Sequence, residues 1–452
     1  MTTGTDLAAE AAGIAGVLAE RLSDPERVAA ATRASARVNA AAGGAYVELW
    51  APANLTDGNA GVAQLFAELG RDGDREARAR THAHLSAAIG APEAVPNPGL
   101  YRGVPAIAYA AHRAGTGTGD FATMSGQLDA VLAEGATRTA DQGLALLRGG
   151  APITSWRYYD VVVGTSGIGR LLLARHTRTG GAAVTAALRA VLGLLVATAT
   201  GADVDAGGFT VPAWWSTETF LGLPDAPGHL NLGLAHGVGG PLALLSLAWS
   251  AGVRVPGQDA AIAAIADLLG SWRRTDAYGP YWAYCAATGV DRDWWQSPPH
   301  RTRDAWCYGA LGLARALHLA GNALGRADWT AQAVAAARGA VAAMDRGLVT
   351  DHSLCHGWAG ILRIVQRMAA DSADPVLEAA VTPLAGRLIA GYDPAAPFGY
   401  RYTAPDFPLG ADRPGYLEGA AGIALALRSF AAGERPVTGP AATDWDAALL
   451  IA

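Results

Sequence analysis

The stretch VGTSGIGRLLLARH (residues 163–176) sets how the rest of the chain is read. Gly164 and Gly167 form a G-x-x-G phrase, and the residues behind them are apolar at helical spacing. The same phrase returns at Gly58/Gly61 (DGNAGVAQLFAELG), Gly237/Gly240 (HGVGGPLALLSLAW), Gly309/Gly312 (YGALGLARALHLAG), Gly357/Gly360 (HGWAGILRIVQRMA) and Gly419/Gly422 (EGAAGIALALRSFA). A seventh copy, RGVPAIAYAAHRAG, keeps Gly103 but has Ala106 in place of the second glycine. Between the copies lie helical patterns without the phrase, such as residues 259–272 and 331–344.

Each unit therefore reads as a helix, a loop and a second helix that opens on glycine. Glycine there permits a tight turn and close backbone approach, and is expected to leave free N–H groups at the helix start. A helical hairpin cannot bury its apolar face alone, so seven of them point to a closed ring with the phrases at one end. The expected fold is all-α, an α/α toroid forming a single domain over residues 1–452.

The first glycines of successive phrases stand 45 to 73 residues apart, the two longest gaps being those from 164 to 237 and from 237 to 309. The surplus falls near residues 201–231 and 275–303, which are rich in Trp, Tyr, Pro and Gly and lack helical period. These are expected to be non-helical insertions, loops or short strands, whose aromatics either hold a peptide or pack the insertions onto the ring.

Composition narrows the function classes. Hydrophobic residues make up 51% of the 452 and charged ones 16%, which suits a large core rather than disorder. The net charge of −6, with no Lys/Arg run, gives no phosphate-backbone footprint and argues against nucleic-acid binding. The N-terminus lacks the basic and apolar regions of a signal peptide. The apolar stretch 182–200 contains Arg189 and is expected to be a buried helix rather than a membrane span. Three cysteines without a secretory signal imply a cytoplasmic setting with free thiols.

Two of those cysteines sit in register. Cys307 is two residues before Gly309 and Cys355 two before Gly357, with His356 directly behind it. Two thiolates and an imidazole make a Zn²⁺ site with three protein ligands and an open fourth position, as catalytic zinc has. The competing reading makes both cysteines small buried apolar residues. His236 stands immediately before Gly237 without a cysteine, and reads as an acid or base. Asp160, ahead of Gly164, is placed to orient that imidazole, and Arg303, ahead of Cys307, to stabilise a developing oxyanion. A helix cap and a surface ion pair are the plainer readings of the latter two. Cys285 reads as structural, and His352, close to Cys355, as a non-ligand.

Together GLAHGVGG, RDAWCYG and LCHGWAG, supported by YDVVVGTSGIG and GYLEGAAGI, resemble the lanthionine synthetase cyclases (LanC and LanC-like proteins) over residues 55 to 430. The resemblance implies a toroid of seven outer and seven inner helices, with zinc held by Cys307, Cys355 and His356. It implies a class I lanthipeptide cyclase acting on a precursor peptide whose Ser and Thr residues are already dehydrated. A peptide Cys thiol would add to dehydroalanine or dehydrobutyrine, closing a thioether ring. His236 matches the family's acid/base, Asp160 its partner and Arg303 the residue near the enolate, while Tyr308 and Trp306 match further active-site contacts. A separate dehydratase and an exporter are the implied partners, and the setting is cytoplasmic, with membrane association only through a biosynthetic complex. Two other readings stand beside it: a prenyltransferase β-subunit-like toroid, and a non-catalytic LanC-like scaffold binding a peptide or glutathione. A further alternative to the lanthipeptide reaction is thiol addition to a different electrophile at the same site.

Overall fold

The computed structural model describes residues 4–44, 46–71, 73–97, 99–115, 121–205, 210–218, 228–286, 301–404, 406–433 and 445–452. All seven glycine phrases open helices: Asn59–Gly70, Gly103–Ala114, Thr165–Thr179, Gly239–Ser250, Ala310–Leu324, Trp358–Ser372 and Ala420–Ala432. These are buried nearly all round in their first turns; Trp358 to Ala369, for example, are all buried. The other helices bury one stripe only. In Ala327–Ala342 it consists of Trp329, Ala333, Ala336, Ala337 and Ala340, the spacing of a single helix face.

The expectation of free N–H groups at the phrases is overturned. The N–H of the second glycine donates to the carbonyl seven residues upstream in five copies: Gly61 to Asn54, Gly167 to Asp160, Gly312 to Ala305, Gly360 to Ser353 and Gly422 to Gly415. The loop ahead of each helix thus folds back and satisfies donors that the helix itself leaves unpaired. Glycine is required because a Cβ at Gly61, Gly167, Gly312, Gly360 or Gly422 would collide with the carbonyl six residues upstream. Ala106 is tolerated because its loop docks differently. There the close approach is made by Gly103, at φ +61, against the Val95 carbonyl, and the Val104 N–H donates to that carbonyl at 2.9 Å.

The chain forms two compact units. The first holds residues 1–97, 101–128 and 347–436. In it Asn59–Gly70 packs on Arg75–Ile89, Trp358–Ser372 on Pro375–Ala390, and the N-terminal helix Gly4–Arg21 on Ala420–Ala432. Asp24, Asp74 and Asp374 cap their helices by accepting two backbone N–H groups each, and Pro25 and Pro375 follow at the first helical position. An eighth helix without the phrase, Pro25–Ala41, exceeds the expected count among the described residues. It packs on the hairpin Tyr402–Ala404/Phe407–Ala411, where Asn39 bonds Leu409 N and Gly410 O and Ser35 accepts from Asp412 N.

The second unit holds residues 98–100, 129–346 and 437–452. Gly239–Ser250 packs between Thr165–Thr179 and Ala310–Leu324. The last residues of the chain thread onto the same helices: Trp306 Nε1 donates to Leu449 O at 2.8 Å and Arg315 Nε to Ile451 O at 2.7 Å. Ala182–Thr200 is long and apolar enough to cross a membrane, and half of it is buried here, along the stripe Val184, Leu188, Val191 and Leu195.

The described parts of both insertions are non-helical, as expected, and they pair with each other. Leu230–Asn231 runs antiparallel to Cys285–Ala286, while 204–205/210–211 and 274–276/279–281 form local hairpins. Trp214, Trp215, Tyr281 and Trp282 are buried, so these aromatics pack the insertions down rather than line a groove. The remaining stretches of the insertions, 206–209, 219–227 and 287–300, lie outside the described residues.

Candidate active site

In the second unit the loop before Thr165–Thr179 holds Asp160 with no solvent exposure. Its Oδ1 accepts the N–H groups of Val162 and Val163, a local turn that Asp favours. Its Oδ2 is thereby left to face His236 Nδ1 across a short contact. The carboxylate–imidazole pair expected from the sequence is thus formed. Burial works against charge on His236, but the field and hydrogen bond of Asp160 outweigh it, with smaller help from Cys307 and Glu218; the imidazole titrates above its ordinary value.

The ring is fixed on one flat face by Trp156, stacked at 4.7 Å and 17°. Trp156 begins a one-turn helix, Trp156–Tyr158, whose entry is clamped by Glu218: its Oε1 accepts from Ser155 Oγ at 2.6 Å and Trp156 N at 2.9 Å. Sequence reasoning missed this residue, since only the tertiary fold brings it against an imidazole eighty residues downstream.

Cys307 and Tyr308 adjoin the same centre. The Cys307 carbonyl accepts from Leu234 N at 3.0 Å and Ala235 N at 3.3 Å, so the loop that presents His236 hangs on the backbone beside the thiol. A Cβ on Gly233 would run into that carbonyl and the Tyr308 ring. Tyr308 lies 6.3 Å from the His236 ring and 4.9 Å from Tyr284, and its hydroxyl accepts from Asn231 Nδ2 at 3.0 Å. Burial holds its phenol protonated, far above the ordinary range. Arg303 is half-buried and its charge is felt by Tyr284. Its buried neighbour Arg301 pairs with partly exposed Asp276 and with buried Asp304, and Asp304 in turn accepts from Ala310 N. Trp306 is wholly buried with its indole N–H on Leu449, a packing position.

Cys355 and His356 belong to the first unit, at the start of Trp358–Ser372. Cys355 N donates to Leu417 O at 3.0 Å. His356 Nε2 lies 3.2 Å from Asp351 Oδ2, and Tyr402 meets the imidazole edge-on at 5.8 Å. Behind Tyr402, Arg413 is clamped between Asp57 and Glu418, and a small cavity is lined by Asp351, Ser353, Tyr402, Arg413 and Glu418. Burial raises the Glu418 carboxyl, against the pull of Arg413. Asp57 and Glu418 went unnoticed in the sequence, yet a signal was there: each immediately precedes the first glycine of its phrase, as His236, Tyr308 and His356 do. His352 packs on Tyr400 and Gly391, away from any ligand role, and Cys285 sits in the buried ladder with its thiol pushed up to about 12 by burial.

Paired helices, with the glycine phrases opening one helix of each pair and a carboxylate–imidazole pair at the phrase loops of the second unit, define a mostly helical protein. The family model described as lanthionine synthetase C-like protein matches residues 49–449. The chain belongs to that family. The solved structure of nisin cyclase aligns with a TM-score of 0.67 at 19% identity, covering 88% of this chain and 92% of that one. The fold is accordingly an α/α toroid of the lanthipeptide-cyclase type. No curated protein matches the sequence.

Proposed function

We propose that this protein is a zinc-dependent lanthipeptide cyclase that adds peptide Cys thiols to dehydroalanine or dehydrobutyrine. The observation that carries the reading is the pairing of buried Asp160 with the partly exposed His236, beside the backbone of Cys307. In the addition, the thiol loses its proton, an S–C bond forms at the β-carbon, and the α-carbon takes up a proton. One group that can hold a proton near neutral pH is sufficient for the transfer. His236 meets this need: Asp160 fixes its Nδ1–H, Trp156 fixes its plane, and Nε2 is the nitrogen that presents the proton to the α-carbon. Arg303 serves the enolate oxygen, and Tyr308 is a neutral donor at the same centre.

Among the described residues, Cys307, Cys355 and His356 are the group whose donor atoms suit a metal ion. Two thiols and an imidazole fit zinc by chemistry, with one position left for a substrate. Zinc, when bound, supplies the Lewis acidity that keeps a thiol deprotonated at neutral pH. Because the reaction consumes dehydrated residues, a separate dehydratase must act on the peptide first; an exporter and a cytoplasmic setting complete the reading.

The test is ring closure on a dehydrated Cys-containing peptide, followed by alkylation of the remaining thiols and mass spectrometry. Cyclisation must exceed the enzyme-free rate and fall to it in His236→Ala; equal rates with and without protein would refute the proposal.

A further inference from the structure

Asp351 is buried in the loop ahead of Trp358–Ser372. Its Oδ1 accepts the Ser353 N–H at 2.7 Å and its backbone carbonyl accepts the Trp358 N–H at 3.1 Å, so the carboxylate has a fixed orientation. Its Oδ2 then points at His356 Nε2, 3.2 Å away. Asp160 does the same in its own loop: Oδ1 takes the backbone donors of Val162 and Val163, and Oδ2 takes a ring nitrogen of His236. In both loops one carboxylate oxygen locks the turn and the other addresses an imidazole. The nitrogens differ: Nδ1 for His236, Nε2 for His356.

That difference has a chemical meaning. A carboxylate beside Nε2 keeps the neutral ring's proton on Nε2, and so leaves the lone pair on Nδ1. We infer that Asp351 is the positioning residue that selects Nδ1 of His356 as the metal-binding nitrogen. The inference rests on the zinc reading above. A histidine ligand typically donates its other ring N–H to a carboxylate, which fixes the tautomer and raises the basicity of the ligating nitrogen. Tyr402, edge-on to the ring, holds the same orientation from another side.

Asp351→Asn isolates the effect. The amide oxygen still accepts from Ser353 N, while the amide nitrogen now faces Nε2 as a donor and drives the ring proton onto Nδ1. Zinc affinity, measured by competition with a chromophoric chelator, falls about 10–100-fold, while the melting temperature of the metal-free protein stays at the wild-type value. A second measurement needs no variant: in zinc-loaded wild type labelled with ¹⁵N-histidine, the His356 ring carries its proton on Nε2. Unchanged zinc affinity in Asp351→Asn, or a proton on Nδ1 in the wild type, overturns the inference and leaves the zinc reading standing. A wild-type protein that binds no zinc overturns both.

Discussion

Asp160→Asn is the most informative perturbation of the proposed acid–base centre. The asparagine oxygen can still accept the Val162 and Val163 N–H groups, so the turn survives. What is lost is the charge facing His236 Nδ1, and an amide N–H replaces it as a competing donor. The imidazole then prefers the tautomer with its proton on Nε2 when neutral, and burial acts on its charged form without the carboxylate to offset it. A hydrogen bond to a charged group contributes about 1.5–3 kcal/mol, and loss of a positioned acid–base lowers the rate about 10²–10⁴-fold. The stability effect has a definite pH sign. His236 titrates higher in the folded chain than its ordinary value, so its contribution is full below that ordinary value and is lost as pH rises through the folded one. Asp160→Asn therefore costs most stability in mild acid and less in alkali. Urea unfolding at several pH values and an NMR titration of His236 read the linkage, and the thiol-alkylation assay reads the rate. A variant that keeps the wild-type cyclisation rate refutes the role of the pair. One that loses activity while His236 titrates unchanged shows Asp160 acting only through the turn.

Three further outcomes follow from the same structure. Cys307→Ala loses bound zinc, read by metal analysis of the purified protein, yet stays folded, because the loop before His236 hangs on the residue's carbonyl and not its side chain. Gly360→Ala places a Cβ against the Leu354 carbonyl and destabilises by about 1–3 kcal/mol, as overpacking does; an unchanged urea midpoint would contradict the loop-docking account. Arg413→Ala leaves Asp57 and Glu418 without their shared cation and costs about 3 kcal/mol. Glu418, already raised by burial, rises further in that variant, so the deficit at pH 8 must exceed that at pH 5.

The glycine phrases made the helices legible because their signal is local. A glycine pair with an apolar helical run behind it fixes where a helix begins, whatever it later packs against, and the seven phrase helices stand where the repeat placed them. Register within the repeat also singled out Cys307, Cys355, His356 and His236, since equivalent positions occupy equivalent ends. The pairing of Asp160 with His236 was reachable by the same logic, both lying just ahead of their phrases. Other features depended on which loops abut, and no local pattern encodes that. Trp156 stacks on His236 from a turn that Glu218, from an insertion, clamps. Asp351 matters because one of its oxygens is spent on Ser353 and the other faces His356. The phrase N–H groups looked free in the sequence, but the upstream loop folds back to occupy them. Local residue order thus sets where each phrase helix starts and which reactive side chains stand at its head. The tertiary structure decided which nitrogen, carboxylate oxygen and ring face each of those side chains meets, because hydrogen bonds and stacking act over a few ångströms between segments far apart in the chain.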